Sequence, residues 1–296
     1  MMRNATATVW PVPPNAGGRL HRAAGLIRSR PLTAFFSWFF TVGQLIAFTP
    51  AISSAVFQRT LAAEPFIIAS TFVGLLLPAV AITAAMDGPE GLRRLSAAAL
   101  RYRIPARWYL LALVGVPTIT LGVQAVTAGR PSNDSPGAIA AAVGIGLIVQ
   151  LIVVMLTVNL WEEVAWTGFV QALLQRQGHS PMRAALLVAP LFALGHISLL
   201  TGGLGQAATL LLLLTALGVP FRALQGWVYN RTGSLLIVGA IHAAGNAAAL
   251  GSIAGAGLIP RLYGGEGQSL LAFALIGLLV ITLTKARLGG KRQYLR

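Results

Sequence analysis

The sequence predicts an all-α, polytopic membrane protein with about eight transmembrane helices and both termini in the cytoplasm. Of its 296 residues, 56% are hydrophobic and only 10% are charged, whereas soluble globular proteins carry about 25% charged residues. Several apolar runs reach the ~20 residues that a membrane-spanning helix needs. A transmembrane β-barrel would instead show short segments of alternating hydrophobicity. We therefore expect an integral membrane protein built from helices.

The apolar runs predict eight spans, separated by turn-rich or basic connections. The spans cover residues 33–57, 65–86, 108–128, 138–175, 182–200, 206–228, 234–253 and 269–284. The connection over residues 87–107 contains five arginines, and the amphipathic spacing of Leu92, Leu95 and Ala99 favours a short helix on the membrane surface. A plain basic loop is the alternative, and both readings give the same orientation.

The distribution of the basic residues that give the net charge of +15 predicts the orientation of the chain. Alternate connections place 19 Lys and Arg residues on one side and three, Arg59, Arg130 and Arg261, on the other. Basic residues accumulate in cytoplasmic connections, so this asymmetry predicts cytoplasmic termini, with the inner (plasma) membrane of a bacterium as the expected location. The lipid bilayer is the expected partner of these flanks, and we expect no nucleic-acid partner.

The chain divides into three parts by composition. We expect a disordered, basic cytoplasmic leader over residues 1–30, a single helix-bundle domain over 31–286 with its functional core at 138–253, and a basic cytoplasmic tail over 287–296. The absence of cysteine excludes disulfides, thiolate metal ligands and a cysteine nucleophile.

Three polar motifs interrupt the apolar spans of the second half. They are the adjacent Glu162 and Glu163, the His196 that ends Phe-Ala-Leu-Gly-His, and His242-Ala-Ala-Gly-Asn246, whose His and Asn share one helical face. Ionisable groups inside a membrane segment are costly and by default mark a functional site. Each motif lies 11–13 residues from a basic marker, which is roughly 16–20 Å of helical rise. We therefore expect the three motifs at one depth.

These residue types can hydrolyse an amide with an activated water. A carboxylate beside an imidazole can deprotonate a water and then return the proton to the leaving group. The His242 ring and the Asn246 amide are donors that can stabilise the oxyanion of a tetrahedral intermediate. Glu162, Glu163, His196 and His242 could equally hold a divalent metal such as zinc, which would itself activate the water.

The ordered set Glu-Glu-x-x-x-x-Gly-Phe, Phe-x-x-x-His and His-x-x-x-Asn resembles the CPBP family. This family contains the type II CAAX prenyl endopeptidases, the bacteriocin-processing proteins and related membrane proteases. The motifs cover residues 162–246, about a third of the chain. The resemblance implies an eight-helix intramembrane fold, a protease core over 138–253 and a membrane-associated peptide or protein as substrate.

The resemblance also implies a role for each motif residue. Glu162 would activate water together with His196, His242 and Asn246 would form the oxyanion site, and Glu163 would support them. One residue departs from the family pattern, because Thr167 stands where the first motif often carries an arginine. A cation that could pair with Glu163 is therefore missing from that position. Since family members are described both as metalloproteases and as glutamic proteases, metal dependence stays open, and we favour the metal-independent version.

Three functions compete on the sequence. The leading hypothesis is an intramembrane endopeptidase that cleaves near the cytoplasmic leaflet. The second is a catalytically silent scaffold or bacteriocin-immunity-like protein, in which a buried glutamate pairs structurally, for example with Arg222. The third is a proton-coupled transporter that relays protons through Glu and His, which the lack of an internal repeat disfavours.

Overall fold

The computed structural model describes residues 25, 27–199, 204–252 and 255–289. Within them the chain is almost entirely helical, and we number the helices in chain order. They are α1 Pro31–Phe57, α2 Glu64–Ala99, α3 Ala106–Ala128, α4 Pro136–Arg176, α5 Pro181–Leu199, α6 Leu204–Thr232, α7 Leu235–Ala249, α8 Leu258–Tyr263 and α9 Ser269–Leu283. The all-α membrane fold is confirmed.

Each of the eight predicted spans corresponds to a helix, but the helices differ in length. The first six, α1 to α6, are long and apolar enough to cross a membrane, and α7 and α9 are shorter apolar helices of 15 residues each. A helix of 15 residues rises ~22 Å, which is less than the ~30 Å of a hydrocarbon core.

The predicted seventh span is wrong at its end, because the helix does not continue to residue 253. Helix α7 ends at Ala249, and Gly251 has a φ of 122°, which only glycine adopts readily. A small antiparallel hairpin follows, with strands β1 Gly251–Ser252 and β2 Gly255–Ala256. The short helix α8 completes this connection, and the sequence did not predict either element.

The connections between helices form two ends of the bundle with different charge. At one end, Asp87 accepts from Arg176 at 2.8 Å, and Ser234 donates to the carbonyl of Arg101 at 2.5 Å. We call this the basic end, because it carries Arg28, Arg30, Arg93, Arg94, Arg101, Arg103, Arg107, Arg176, Arg183, Arg231, Lys285 and Arg287 among the described residues.

Among the described residues, the opposite end is formed by the connections α1–α2, α3–α4 and α7–α9. Contacts join them: the amide of Asn133 donates to the carbonyl of Leu262 at 3.1 Å, and that of Gly267 to Ala249 at 2.7 Å. Their arginines are matched in number by carboxylates, so we call this the neutral end. Its charged residues are Arg59, Arg130, Arg261, Glu64, Asp134 and Glu266.

Residues 87–107 form a helix only in part. Helix α2 bends sharply at Gly88, where φ is 62° and ψ is −155°, and continues as a helix over residues 89–99. Leu95 and Ala99 pack against the core, which explains the amphipathic spacing. Most of the predicted leader lies outside the described residues, as do residues 290–296 of the predicted tail. Arg28, near the end of that leader, donates to the carbonyl of Ala85 at 2.6 Å.

The 19 basic residues counted on one side include Arg222, as part of the connection after the sixth span, and this assignment is wrong. Arg222 lies inside α6 and its side chain is completely buried. Counting basic residues by position along the sequence cannot separate a residue near the end of a span from one within it. Without Arg222 the count is 18 against three, so the asymmetry that predicts orientation persists.

The packing of α7 against α4 places two polar motifs opposite each other. Thirteen residues of α7 are buried, including His242, so the helix runs through the centre of the bundle. Gly239 permits a close approach to α4, since an added Cβ would lie 3.2 Å from the Cα of Leu160. The hydroxyl of Ser234 accepts from the amide of Ile237 at 3.2 Å and caps the helix start.

Candidate active site

Glu162 and Glu163 lie in the middle of α4, but they face different surroundings. They occupy a short α-helical stretch, Leu160–Glu163, between two π-helical stretches, Met155–Asn159 and Val164–Gln171. Such π turns occur frequently at functional sites. The Glu162 side chain keeps 13% of its surface exposed, whereas that of Glu163 is completely buried.

Glu163 forms a buried ion pair with Arg222 of α6. The Nη1 atom of Arg222 donates to both carboxylate oxygens of Glu163, at 3.0 and 3.1 Å, and neither side chain is exposed. The guanidinium also lies 5.6 Å from the ring centroids of Phe192 and Phe221, within the range of a cation–π contact. The sequence analysis allowed a buried glutamate to pair with Arg222, and Glu163 is the glutamate that does so.

Thr167 and Gln171 complete this ion pair from the next turns of α4. The hydroxyl of Thr167 donates to Glu163 Oε2 at 2.5 Å and accepts from Arg222 Nη2 at 2.6 Å. Gln171 Oε1 accepts from the same Nη2 at 3.4 Å. The position where the related motif often carries arginine thus holds a hydroxyl that bridges Glu163 to an arginine on another helix.

His242 joins the ion pair to the second glutamate. Its Nδ1 lies 3.0 Å from Glu163 Oε1 and 3.6 Å from Glu162 Oε2. The Glu163 carboxylate, which is ion-paired with Arg222, can only accept hydrogen bonds. His242 Nδ1 therefore carries the hydrogen and donates it to Glu163. The other nitrogen, Nε2, is left available to the cavity that His242 lines.

Asn159 is a buried residue that links the first and third motifs. Its amide donates to Glu162 Oε2 at 3.2 Å, and its carbonyl oxygen accepts from Asn246 Nδ2 at 3.4 Å. Glu162, Asn159 and Asn246 therefore form a short chain of hydrogen bonds between α4 and α7. This chain fixes the Asn246 amide beside the Glu162 carboxylate.

His196 does not lie on a regular α-helix, contrary to the simplest reading of its motif. The α-helical part of α5 ends at Leu194, and His196 lies in the turn that follows. Its Nδ1 lies 2.8 Å from the carbonyl oxygen of Phe192, which also accepts from the amide of Gly195 at 3.1 Å. Because a carbonyl only accepts, Nδ1 is the donor, and Nε2 keeps a free lone pair. The amide of Gln44 on α1 donates to the carbonyl of Gly195 at 3.1 Å and holds the turn.

A cavity of about 330 Å³ brings four of the five predicted site residues onto one surface. Glu162, His196, His242 and Asn246 line it, together with Asn159 and the ring of Phe192. Glu163 does not line it, because it lies behind His242 in the ion pair with Arg222. The remaining walls are mainly aliphatic and aromatic, as in sites that bind an apolar ligand in a fixed orientation.

The predicted residues do not fit a divalent metal site in this arrangement. Among the residues that the structure describes, no group of three His, Asp or Glu side chains is close enough to hold a metal ion. The oxygens of Glu163 are occupied by Arg222, Thr167 and His242, so this carboxylate is not available as a metal ligand. A structural or catalytic zinc needs three or four protein ligands around one point.

The sequence did not predict the contribution of Asn159 or Gln171 to this site, and it gave Arg222 only as one possible partner of a buried glutamate. Asn159 and Gln171 are polar residues at helical spacing from the glutamates, three residues before Glu162 and eight after Glu163. This spacing was the feature of the sequence that could have identified both residues as part of the site. The sequence indicated Arg222 more clearly, because a charged residue within an apolar run needs a partner.

Comparison with known proteins supports the motif assignment. The family model described as type II CAAX prenyl endopeptidase, Rce1-like, matches residues 144–248. No curated protein matches the chain. The matched range contains all three motifs, so the predicted resemblance is confirmed. Residues 144–248 of this integral membrane protein are therefore similar to the Rce1-like type II CAAX prenyl endopeptidases, the protease family that the motifs indicated.

Proposed function

We propose that the chain is an intramembrane endopeptidase that hydrolyses a peptide bond with a water activated by Glu162 and His196. The observation that carries the proposal is the shared cavity. A partly exposed carboxylate, two imidazoles and an amide donor line one apolar chamber. General acid–base groups and oxyanion donors are the two contributions that amide hydrolysis requires from a protein.

Glu162 is the general base in this proposal. A water held between its carboxylate and His196 Nε2 gives one proton to Glu162 as its oxygen bonds to the substrate carbonyl carbon. Glu162 then returns that proton to the amide nitrogen as the C–N bond breaks. Both oxygens of Glu163 accept from Arg222 in the ion pair. Glu162 is therefore the one of the two adjacent glutamates that is available for this transfer.

Asn246 and His242 stabilise the negative charge that develops on the carbonyl oxygen. One hydrogen of the Asn246 amide is directed to Asn159, and the second is free for the oxyanion. His242 contributes an Nε2–H donor when it carries a proton on both nitrogens, with Nδ1–H donated to Glu163. Such fixed donors act strongly in a site that excludes water.

Glu163, Arg222 and Thr167 act as positioning residues in this account. They lie outside the cavity and set the ring orientation of His242 through the Glu163 carboxylate. A bound divalent metal such as zinc is not part of the proposal, because no three His, Asp or Glu side chains among the described residues converge on one point.

Cleavage of a library of apolar and amphipathic peptides by detergent-purified protein tests this function. The wild-type chain is expected to cleave some members, Glu162→Gln to cleave none, and Glu266→Gln to behave as wild type. Glu266 is a suitable control because it is an exposed carboxylate of the α7–α9 connection that does not line the cavity. If the wild-type chain cleaves nothing, the catalytically silent scaffold replaces the endopeptidase as the better account.

A further inference from the structure

The cavity lies toward the neutral end of the bundle. Its lining includes the first residue of α2, the last of α5, the start of the hairpin after α7 and the first of α9. These residues are Glu64, Leu199, Gly251, Ser252 and Ser269. All of them except Leu199 adjoin the described connections of the neutral end, whereas no described residue of the connections at the basic end contributes to the lining.

The distances along α4 agree with this placement. Glu162 lies 14 residues before Arg176 at the basic end, which is roughly 21 Å of helical rise. That exceeds half of the ~30 Å hydrocarbon thickness, so the glutamate is nearer the opposite leaflet. The expected position near the leaflet that borders the basic connections does not match the cavity of this structure.

The charge of the two ends assigns them to the two sides of the membrane. Among the described residues, the basic end combines 12 Lys and Arg residues with Asp87 and Glu90, whereas the neutral end balances three arginines with three carboxylates. Cytoplasmic connections carry the excess of Lys and Arg. The basic end is therefore the cytoplasmic one, and the cavity faces the other side.

The lining also restricts the chemistry of the ligand. Among the described residues that line it, Glu64 and Glu162 are the acidic ones, and there is no Lys or Arg. The neighbouring positions 200–203 and 253–254 contain no charged residue in the sequence. Two carboxylates without a cation repel a free carboxyl terminus, whereas the aliphatic walls favour neutral apolar side chains.

From these observations we propose that the cavity receives an apolar, internal segment of a polypeptide from the non-cytoplasmic side of the membrane. The assignment of that segment as a substrate rests on the proposed endopeptidase function. The direction of the opening and the preference for an internal segment are independent of catalysis, and they can be measured without cleavage.

The cysteine-free sequence allows a direct test of the direction. Ser269→Cys places a thiol at the cavity rim, and Ser96→Cys places one on the exposed face of α2 at the basic end. Cells expressing each variant are treated with a membrane-impermeant maleimide before and after permeabilisation. We expect Ser269→Cys to react in intact cells and Ser96→Cys to react only after permeabilisation.

Three labelling results would overturn the proposal that the cavity opens to the non-cytoplasmic side. They are reaction of Ser269→Cys only after permeabilisation, reaction of Ser96→Cys in intact cells, and no reaction of Ser269→Cys under either condition. None of these results depends on whether the chain cleaves peptides, so they separate a failure of the orientation from a failure of the endopeptidase.

A protection experiment on the purified Ser269→Cys variant tests the ligand class. Two peptides of identical leucine–alanine sequence are compared, one ending in an amide and one in a free carboxylate. We expect the amidated peptide to slow maleimide labelling at a concentration about tenfold below that needed for the free acid, because the cavity carboxylates repel the latter. Equal or better protection by the free acid would contradict an internal segment as the ligand.

Discussion

Glu163 and Arg222 form a completely buried ion pair between α4 and α6, and this pair separates the roles of two adjacent glutamates. Both oxygens of Glu163 accept from the guanidinium, at 3.0 and 3.1 Å. Glu162, one residue earlier, turns to the cavity and accepts from Asn159 instead. One carboxylate is therefore held as part of the structure, and the other faces the chamber where chemistry is proposed.

Removing Arg222 should destabilise the fold strongly. Arg222→Met leaves the Glu163 carboxylate buried without its cation, and breaking a buried pair on one side typically costs about 3–5 kcal/mol. Thermal and denaturant unfolding in detergent measure this loss. Arg183→Met removes an exposed arginine of the basic end and should change the free energy of unfolding by less than about 0.5 kcal/mol. Equal stability of the two variants would refute the importance of the pair.

Thr167→Arg should restore much of that stability in the Arg222→Met background. The Thr167 hydroxyl already lies 2.5 Å from Glu163 Oε2, so a guanidinium from this position can reach the same carboxylate. The double variant would carry the arginine at the position that the related motif often uses. Unfolding of the double and single variants side by side checks the rescue, and a double variant no more stable than Arg222→Met would argue against it.

Asn246→Ala should lower kcat by about 10²–10³ while leaving KM nearly unchanged, because an oxyanion donor acts in the transition state. Steady-state kinetics on a cleaved peptide measure both constants. Asn230→Ala is the matched control, since Asn230 donates to the carbonyl of Leu288 at the basic end. A similar loss of activity in both variants would indicate a general effect of removing an asparagine and not an oxyanion site.

Chelation should leave cleavage unaffected. No three His, Asp or Glu side chains among the described residues converge on one point, so the site lacks the ligand set that a catalytic zinc requires. Peptide cleavage before and after EDTA treatment and desalting measures the effect. Loss of activity on chelation, followed by recovery on addition of zinc, would show that the side chains rearrange around a metal.

The sequence predicted the helices well because the membrane imposes a simple rule on them. Every span must supply a long apolar run, so α1 to α6 are visible in the composition alone. The short helix α7 was predicted to extend too far, to residue 253. Local backbone geometry at Gly251, and not hydrophobicity, ends that segment.

The site was predictable in its residue types and only in part in its connections. The cost of placing Glu162, Glu163 and His242 in an apolar bundle singled them out. The sequence allowed Arg222 as a partner of a buried glutamate without saying which one, and no sequence pattern indicated that Asn159 joins Glu162 to Asn246. Those contacts depend on how α4, α6 and α7 rotate against each other, which hydropathy does not determine.

The rate of peptide cleavage by Glu162→Gln tests the central claim most directly. Single-turnover cleavage of one peptide is compared for the wild-type chain, Glu162→Gln and the control Glu266→Gln, after far-UV circular dichroism shows that all three are folded. The account predicts a loss of at least about 10²-fold for Glu162→Gln and a rate within twofold of wild type for Glu266→Gln. A folded Glu162→Gln variant that cleaves at the wild-type rate would contradict the assignment of Glu162 as the general base.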